Sequence, residues 1–176
     1  GARVTVLEQL TAPVTESRAS TLHTRTMEIL AERGILDRLG PLPDGGPGHF
    51  GGLPLDLRAA APGHPYAGQW KCPQTRLEAT LYTWATGLGA TVRRGHAVTG
   101  LHQYPDRVVV SGIELGAGPR RFAASYVVGC DGERSTVRQL AGFDFPGDDA
   151  TLEMLRADVA GIGVPNRRFE RHPHGL

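Results

Sequence analysis

The segment that most constrains the fold is Val127–Arg138, which reads VVGCDGERSTVR. An apolar run leads into an Asp-Gly pair, and a short polar turn then precedes residues suited to a helix. This order predicts a strand, a turn and a helix, with Asp131 at the carboxyl end of the strand. Open α/β sheets bind their ligands at that end. An Asp-Gly turn is common by itself, but the full order of the segment predicts an α/β fold with a ligand site near Asp131.

Composition limits the class of protein. The chain has 176 residues, enough for one domain with its own core. A net charge of +1 gives no electrostatic reason to expect nucleic acid or an anionic membrane as a partner. No apolar stretch is long enough for a signal peptide or a membrane span. We therefore expect a cytoplasmic protein that acts on a small molecule, with Cys130 as a small, buried apolar side chain.

A second strand is predicted close to the start of the chain. The β-branched run Arg3–Leu7 ends directly before Glu8. An acidic residue at such a strand end commonly hydrogen-bonds the ribose of a bound dinucleotide. The Gly-rich turn GxGxxG, which belongs roughly 20 residues upstream of that acid, is not in this sequence. Many buried strands end in a carboxylate, so Glu8 alone is weak evidence for ribose binding.

Together, VVGCDGERSTVR and GARVTVLEQ resemble FAD-dependent aromatic hydroxylases, the flavoprotein monooxygenases with the para-hydroxybenzoate hydroxylase fold. The resemblance implies an α/β, Rossmann-like FAD-binding domain with an inserted β-sheet substrate domain. It also implies that Asp131 faces the ribityl and ribose part of FAD, and that Gly132 lets the backbone approach the cofactor closely. By the same resemblance, Glu8 binds the ribose and Gln9 lies close to the adenine side.

The resemblance implies two further FAD contacts, from Arg18 and Gln74. An Arg in the family's corresponding loop contacts FAD near its pyrophosphate, a suitable use of the planar guanidinium. A Gln at the second position reaches FAD with its amide. A solvated loop Arg and an exposed loop Gln are the structural alternatives. For Arg25, a contact near the flavin edge and a salt bridge on a helix surface are both open.

Two helices are predicted between these segments. The first carries an approximate apolar stripe and has Gly34 as a stop signal. The second begins with a capping box formed by Thr75 and Glu78. The apolar positions are Met27, Leu30, Ile35 and Leu39 in the first helical region, and Leu77, Leu81, Trp84 and Leu88 in the second. Strands are then predicted at Thr91–Leu101, Arg107–Ile113 and Arg121–Val128, as in a β-meander.

The Gly/Pro/Ala-rich region Pro41–Tyr66 contains PGHFGGLPLDL, whose alternating apolar residues predict short strands. This segment resembles hydroxylases of aromatic polyketides of the angucycline and anthracycline type, in which it contributes to a substrate-binding sheet. We therefore predict an FAD-binding domain over residues 1–40 and 68–148, and substrate-domain segments over 41–67 and 149–176. The chain is expected to be the middle part of a longer polypeptide.

The function implied by the resemblance is hydroxylation of a phenolic polycyclic aromatic polyketide. NADPH or NADH reduces the flavin, O₂ adds at its 4a position, and the hydroperoxide transfers hydroxyl to the substrate. Such an enzyme needs no side-chain nucleophile, and we predict neither a catalytic side chain nor a metal site, since none of the seven histidines lies in a ligand cluster. The alternatives are a truncated, non-catalytic flavoprotein-fold fragment, or a related flavin-dependent halogenase or reductase.

Overall fold

The computed structural model describes residues 1–50, 53–153, 161 and 163. The chain folds into two units, the first formed by Gly1–Thr15 with Tyr82–Asp148 and the second by Glu16–Leu81 with Asp149–Leu176. This division does not report which residues contact a cofactor or a substrate, so the domain boundaries predicted from the sequence stay a prediction.

The described part of the chain contains nine strands and four helices. In chain order they are β1 (Thr5–Glu8), β2 (Thr21–His23), α1 (Thr24–Glu32), α2 (Leu36–Leu39), β3 (Gly48–Phe50), β4 (Leu53–Leu55), β5 (Gln69–Lys71), α3 (Gln74–Gly87), β6 (Thr91–Arg94), β7 (His96–Gln103), β8 (Val108–Glu114), β9 (Gly118–Ala124) and α4 (Thr136–Leu140). None of the helices in this described part is long and apolar enough to cross a membrane.

The first unit contains two sheets. Strands β1 and β6 are parallel, in a register that runs from Thr5 opposite Thr91 to Glu8 opposite Arg94. Strands β7, β8 and β9 form an antiparallel sheet in that order, with Val110 buried on the central strand. The predicted strand at the start of the chain is confirmed. The predicted β-meander is present as β7–β9, but the strand predicted over Thr91–Leu101 is divided at Gly95 into β6, which pairs with β1, and β7.

The segment that leads into Asp131 differs from its prediction. Strand β9 ends at Ala124, and no described segment pairs with Val127–Cys130. A strand needs a hydrogen-bonded neighbour, so apolar character alone does not make this segment one. Cys130 is exposed, and the prediction that it is buried is wrong because the residue lies in the turn beyond the sheet.

The second unit is organised around α1 and α2. Helix α1 ends before Gly34, which has a φ of +64°, a conformation that favours glycine. The predicted apolar stripe is buried, which confirms this helical region. The buried apolar residues of the unit are Leu22, Met27, Leu30, Ile35, Leu39 and Cys72. Strands β2 and β5 pair antiparallel beside this core, with Leu22 opposite Trp70.

Helix α3 begins in the second unit and ends in the first. Its start differs from the predicted capping box at Thr75. The backbone N–H of Gln74 donates to the Ser17 hydroxyl at 3.0 Å and to the Ala19 carbonyl at 2.9 Å. A side chain from a distant loop therefore satisfies the helix start, and sequence spacing within the helix could not reveal it.

The segment PGHFGGLPLDL forms two short strands, β3 and β4, as its alternation predicted. They pair antiparallel, with Gly48 opposite Leu55 and Phe50 opposite Leu53. Phe50 is 77% exposed, and Leu53 and Leu55 are also exposed. The hairpin therefore presents apolar side chains at its surface in place of burying them.

Candidate cofactor-binding site

Asp131 lies in a tight polar turn in the first unit. Its Oδ1 accepts a hydrogen bond from the Ser135 hydroxyl at 2.5 Å, and its Oδ2 accepts one from the Val137 backbone N–H at 3.0 Å. These bonds stabilise the charged form, with that of Ser135 contributing most, and hold the pKa of Asp131 below its ordinary value. Because the residue is exposed, the turn presents an ionised acceptor at the protein surface.

Ser135 organises this turn from its inner side. The residue is only 8% exposed, and its hydroxyl oxygen accepts from the backbone N–H of Arg138 at 3.0 Å, which makes it the N-cap of α4. Sequence analysis missed this role. The available signal was a Ser directly before a short helical pattern, four residues after the acid.

Two glycines shape the same turn. A β-carbon on Gly129 would lie 3.0 Å from the Val137 Cβ and 3.3 Å from Asp131 Oδ1, so a larger residue there would displace Val137 or the carboxylate by a few tenths of an ångström. Gly132 has a φ of +79°, and a β-carbon on it would meet nothing within 4 Å. The backbone beside Asp131 is therefore open, which fits the close approach of a cofactor.

Glu8 and Gln9 lie at the end of β1, as predicted. Oε1 of Glu8 accepts from the Leu10 N–H at 2.8 Å, and Oε2 has no hydrogen-bond partner among the described residues. Gln9 is exposed. Within the described part of the chain, no hydrogen bond or ion pair joins this pair of residues to Asp131. The first unit thus carries two separate carboxylates, Glu8 at the end of β1 and Asp131 in its turn, that can accept hydrogen bonds from hydroxyl groups.

The second unit brings Arg18 and Gln74 together, although they are far apart in sequence. The backbone N–H of Arg18 donates to Oε1 of Gln74 at 3.2 Å, and Nε2 of Gln74 donates to Glu78 at 2.7 Å. The Arg18 guanidinium is exposed and has no hydrogen-bond or ion-pair partner in the described residues. Its planar set of donors is available to a phosphate group.

Two other arginines that lie near these residues in sequence are engaged within the protein. Arg25 donates to Glu28 at 2.7 Å, and this hydrogen bond raises the pKa of Arg25 and lowers that of Glu28. The guanidinium of Arg76 donates to the Leu39 carbonyl. Of the two roles left open for Arg25, the structure shows the helix-surface salt bridge. The described residues contain no cluster that could hold a metal ion.

The parallel strand pair, the strand-end carboxylate and the Asp-Gly turn define an α/β protein that binds a nucleotide cofactor. The chain matches the family model described as FAD binding domain over residues 1–174, and it belongs to this family. The predicted Rossmann-like FAD-binding fold and the FAD cofactor are thereby confirmed. The residue-by-residue assignment of FAD contacts stays a prediction.

Two curated relatives are monooxygenases. The chain is 43% identical over 178 residues to the 12-dehydrotetracycline 5-monooxygenase/anhydrotetracycline 6-monooxygenase of Streptomyces rimosus, an alignment that covers 99% of this chain and 33% of that protein. It is 42% identical over 164 residues to the rifampicin monooxygenase of Streptomyces venezuelae, covering 90% of this chain and 33% of that protein. The chain thus spans about one third of the length of these relatives.

The fold of this chain is also similar to that of a solved aromatic hydroxylase structure. The chain is similar to CabE, an aromatic hydroxylase from angucycline biosynthesis, with a TM-score of 0.77 and 47% sequence identity. The match covers 84% of this chain and 30% of CabE. The predicted resemblance to aromatic polyketide hydroxylases is therefore confirmed.

Proposed function

We propose that the protein is an FAD-dependent aromatic monooxygenase that hydroxylates a phenolic polycyclic polyketide, with NADPH or NADH as reductant and O₂ as co-substrate. The observation that carries this proposal is the Asp131 turn, which combines an ionised carboxylate with open backbone at Gly132 in a chain of the FAD binding domain family. The names of the curated relatives, monooxygenases of 12-dehydrotetracycline, anhydrotetracycline and rifampicin, support the substrate class.

The residues of the chain would bind and orient the cofactor. Asp131 would accept hydrogen bonds from hydroxyl groups of the ribityl and ribose part, and Glu8 would accept from the adenosine ribose, with Gln9 beside the adenine. Arg18 would donate to the pyrophosphate, and Gln74 would donate through the N–H that Glu78 does not use. The flavin supplies the redox and oxygen-transfer chemistry when it is bound, while the protein excludes water from it.

The β3–β4 hairpin supports an aromatic substrate. Its exposed side chains, Phe50, Leu53 and Leu55, form an apolar surface in the segment that resembles the polyketide hydroxylases. Burial of flat apolar rings against such side chains is favourable because it removes both surfaces from water. We therefore assign this hairpin to the substrate side of the protein.

The test is FAD retention followed by turnover. The full chain should be purified with FAD bound and should consume NADPH and O₂ when a phenolic polycycle is added, yielding a hydroxylated product. Asp131→Ala should weaken FAD binding roughly tenfold or more, because it removes a charged hydrogen-bond acceptor worth about 1.5–3 kcal/mol. Asp148→Ala, an exposed Asp outside the turn, is the matched control and should bind FAD like the wild type.

Two results would contradict this proposal. Equal FAD affinity of the Asp131→Ala and Asp148→Ala proteins would remove Asp131 from the binding site. Stable FAD binding without any oxygen uptake, over a panel of phenolic polycycles, would favour the non-catalytic flavoprotein fold as the function.

A further inference from the structure

We propose that Ser135 is a positioning residue, which fixes the Asp131 carboxylate in the orientation that receives FAD. The proposal rests on the proposed function, since it assumes that Asp131 contacts the cofactor. It goes beyond that function by assigning a role to a side chain that itself has little surface available to a ligand: Ser135 is 8% exposed.

The direction of the Ser135 hydroxyl proton follows from its two hydrogen bonds. A hydroxyl group has one proton to donate and two lone pairs that accept. The backbone N–H of Arg138 donates to the oxygen at 3.0 Å, and the proton is therefore free for Asp131, whose Oδ1 lies 2.5 Å away. The helix start thus anchors the oxygen, and the anchored oxygen directs its proton to the carboxylate.

The carboxylate is held at both oxygens. Ser135 binds Oδ1, and the Val137 backbone N–H donates to Oδ2 at 3.0 Å. Two anchors on different oxygens fix both the position and the plane of the group. A carboxylate has about four acceptor sites, and its exposure leaves it accessible to hydroxyl groups of a ligand. Because the group is ordered before the ligand arrives, binding does not incur that ordering cost.

An N-cap role alone does not account for this arrangement. A cap requires only that the hydroxyl oxygen accept from the backbone N–H, and the contact with Asp131 is additional. The two roles can be separated by substitution. Ser135→Gly removes the hydroxyl, although glycine is nearly as good an N-cap as serine. Ser135→Thr keeps both the donor and the acceptor.

The experiment is a titration of the flavin-free full chain with FAD, followed by flavin fluorescence. The wild type is compared with Ser135→Gly, Ser135→Ala, Ser135→Thr, Asp131→Ala and the double variant Asp131→Ala/Ser135→Gly. We expect Ser135→Gly and Ser135→Ala to raise the Kd for FAD about five- to tenfold, as for the net contribution of one typical hydrogen bond, because Ser135 acts on FAD only through Asp131. Ser135→Thr should stay within about twofold of the wild type, because the hydroxyl is restored.

The double variant is the decisive comparison. If Ser135 acts through Asp131, adding Ser135→Gly to Asp131→Ala should not raise the Kd further, because no carboxylate remains to be positioned. The melting temperature of each flavin-free protein records the loss of the cap separately. Ser135→Gly and Ser135→Ala both lose the hydrogen bond to Asp131 and should melt below the wild type, and Ser135→Ala should melt lowest because it also loses the N-cap.

Three outcomes would overturn the inference. An unchanged Kd in Ser135→Gly would leave only the cap role. An equal rise in Kd with and without the Asp131 side chain would show that Ser135 acts on FAD by another route. A wild-type chain that binds no FAD would overturn the proposed function and this inference with it. That result is distinguishable from a failure of the Ser135 inference alone, because it appears before any variant is compared.

Discussion

The two units of the chain differ in what stabilises them. Among the described residues, six of the seven tightly buried apolar side chains lie in the second unit, around α1 and α2, whereas the first unit contributes only Val110. The first unit is instead held by backbone hydrogen bonds in its two sheets and by polar contacts in the Asp131 turn.

The first unit also exposes apolar side chains, such as Val6 on β1, Val128 before the turn and Phe143 after α4. A core formed by helices tolerates little change in volume, whereas a turn held by hydrogen bonds responds to changes in single polar groups. Substitutions in the second unit should therefore act on stability, and substitutions in the Asp131 turn should act first on ligand binding. The predictions below test this contrast.

The largest effect is expected for a cavity in the second unit. Leu39 is 2% exposed, and Leu39→Ala should lower the free energy of unfolding by about 2–5 kcal/mol, through lost burial and the cavity that remains. Val128 is 80% exposed, and Val128→Ala should change the free energy of unfolding by less than about 0.5 kcal/mol. Urea denaturation measures both. Comparable losses of unfolding free energy in the two variants would contradict the proposed difference in stabilisation between the units.

A smaller effect is expected from the Asp131 charge. Its folded-state pKa lies below the ordinary value of 3.8, so the charge stabilises the fold at pH above that value and stops doing so as the pH falls through the lowered pKa. Asp131→Asn should therefore cost roughly 1 kcal/mol at neutral pH, a figure kept small because the residue is exposed.

The pH dependence provides the check on that prediction. The difference in unfolding free energy between wild type and Asp131→Asn should shrink as the pH is lowered below about 4, where the unfolded carboxyl binds a proton. A difference that stays constant down to pH 2 would mean that the hydrogen bonds of the turn do not depend on the charge.

The spacing of apolar residues along the sequence was sufficient to predict a buried helical stripe and several strands. The stripe from Met27 to Leu39 and strands β7–β9 follow from periodicity within a few turns or strands, whereas the separation of β6 from β7 does not. Local pattern failed at Val127–Cys130, because whether an apolar run forms a strand depends on a neighbour elsewhere in the chain.

The candidate site shows the same limit. The sequence resemblance identified Asp131, but the orientation of its carboxylate depends on the Ser135 rotamer, and no spacing rule states that. The contact between Arg18 and Gln74 joins residues 56 positions apart, so it follows from tertiary folding alone. Motifs therefore located candidate residues, whereas the structure shows which of their atoms remain free.

The smallest effect is expected for a surface ion pair of the second unit. Arg58 and Asp44 lie 2.5 Å apart, but their side chains are 56% and 53% exposed. Solvent screens such a pair, and holding two flexible side chains together costs entropy. Arg58→Gln removes the guanidinium, whose Cζ lies 5.7 Å from the Trp70 ring centroid, near the outer limit of a cation–π contact, and should leave the unfolding transition unchanged within error at both low and high salt. A clear loss at low salt would show that charge, and not only burial, stabilises this unit.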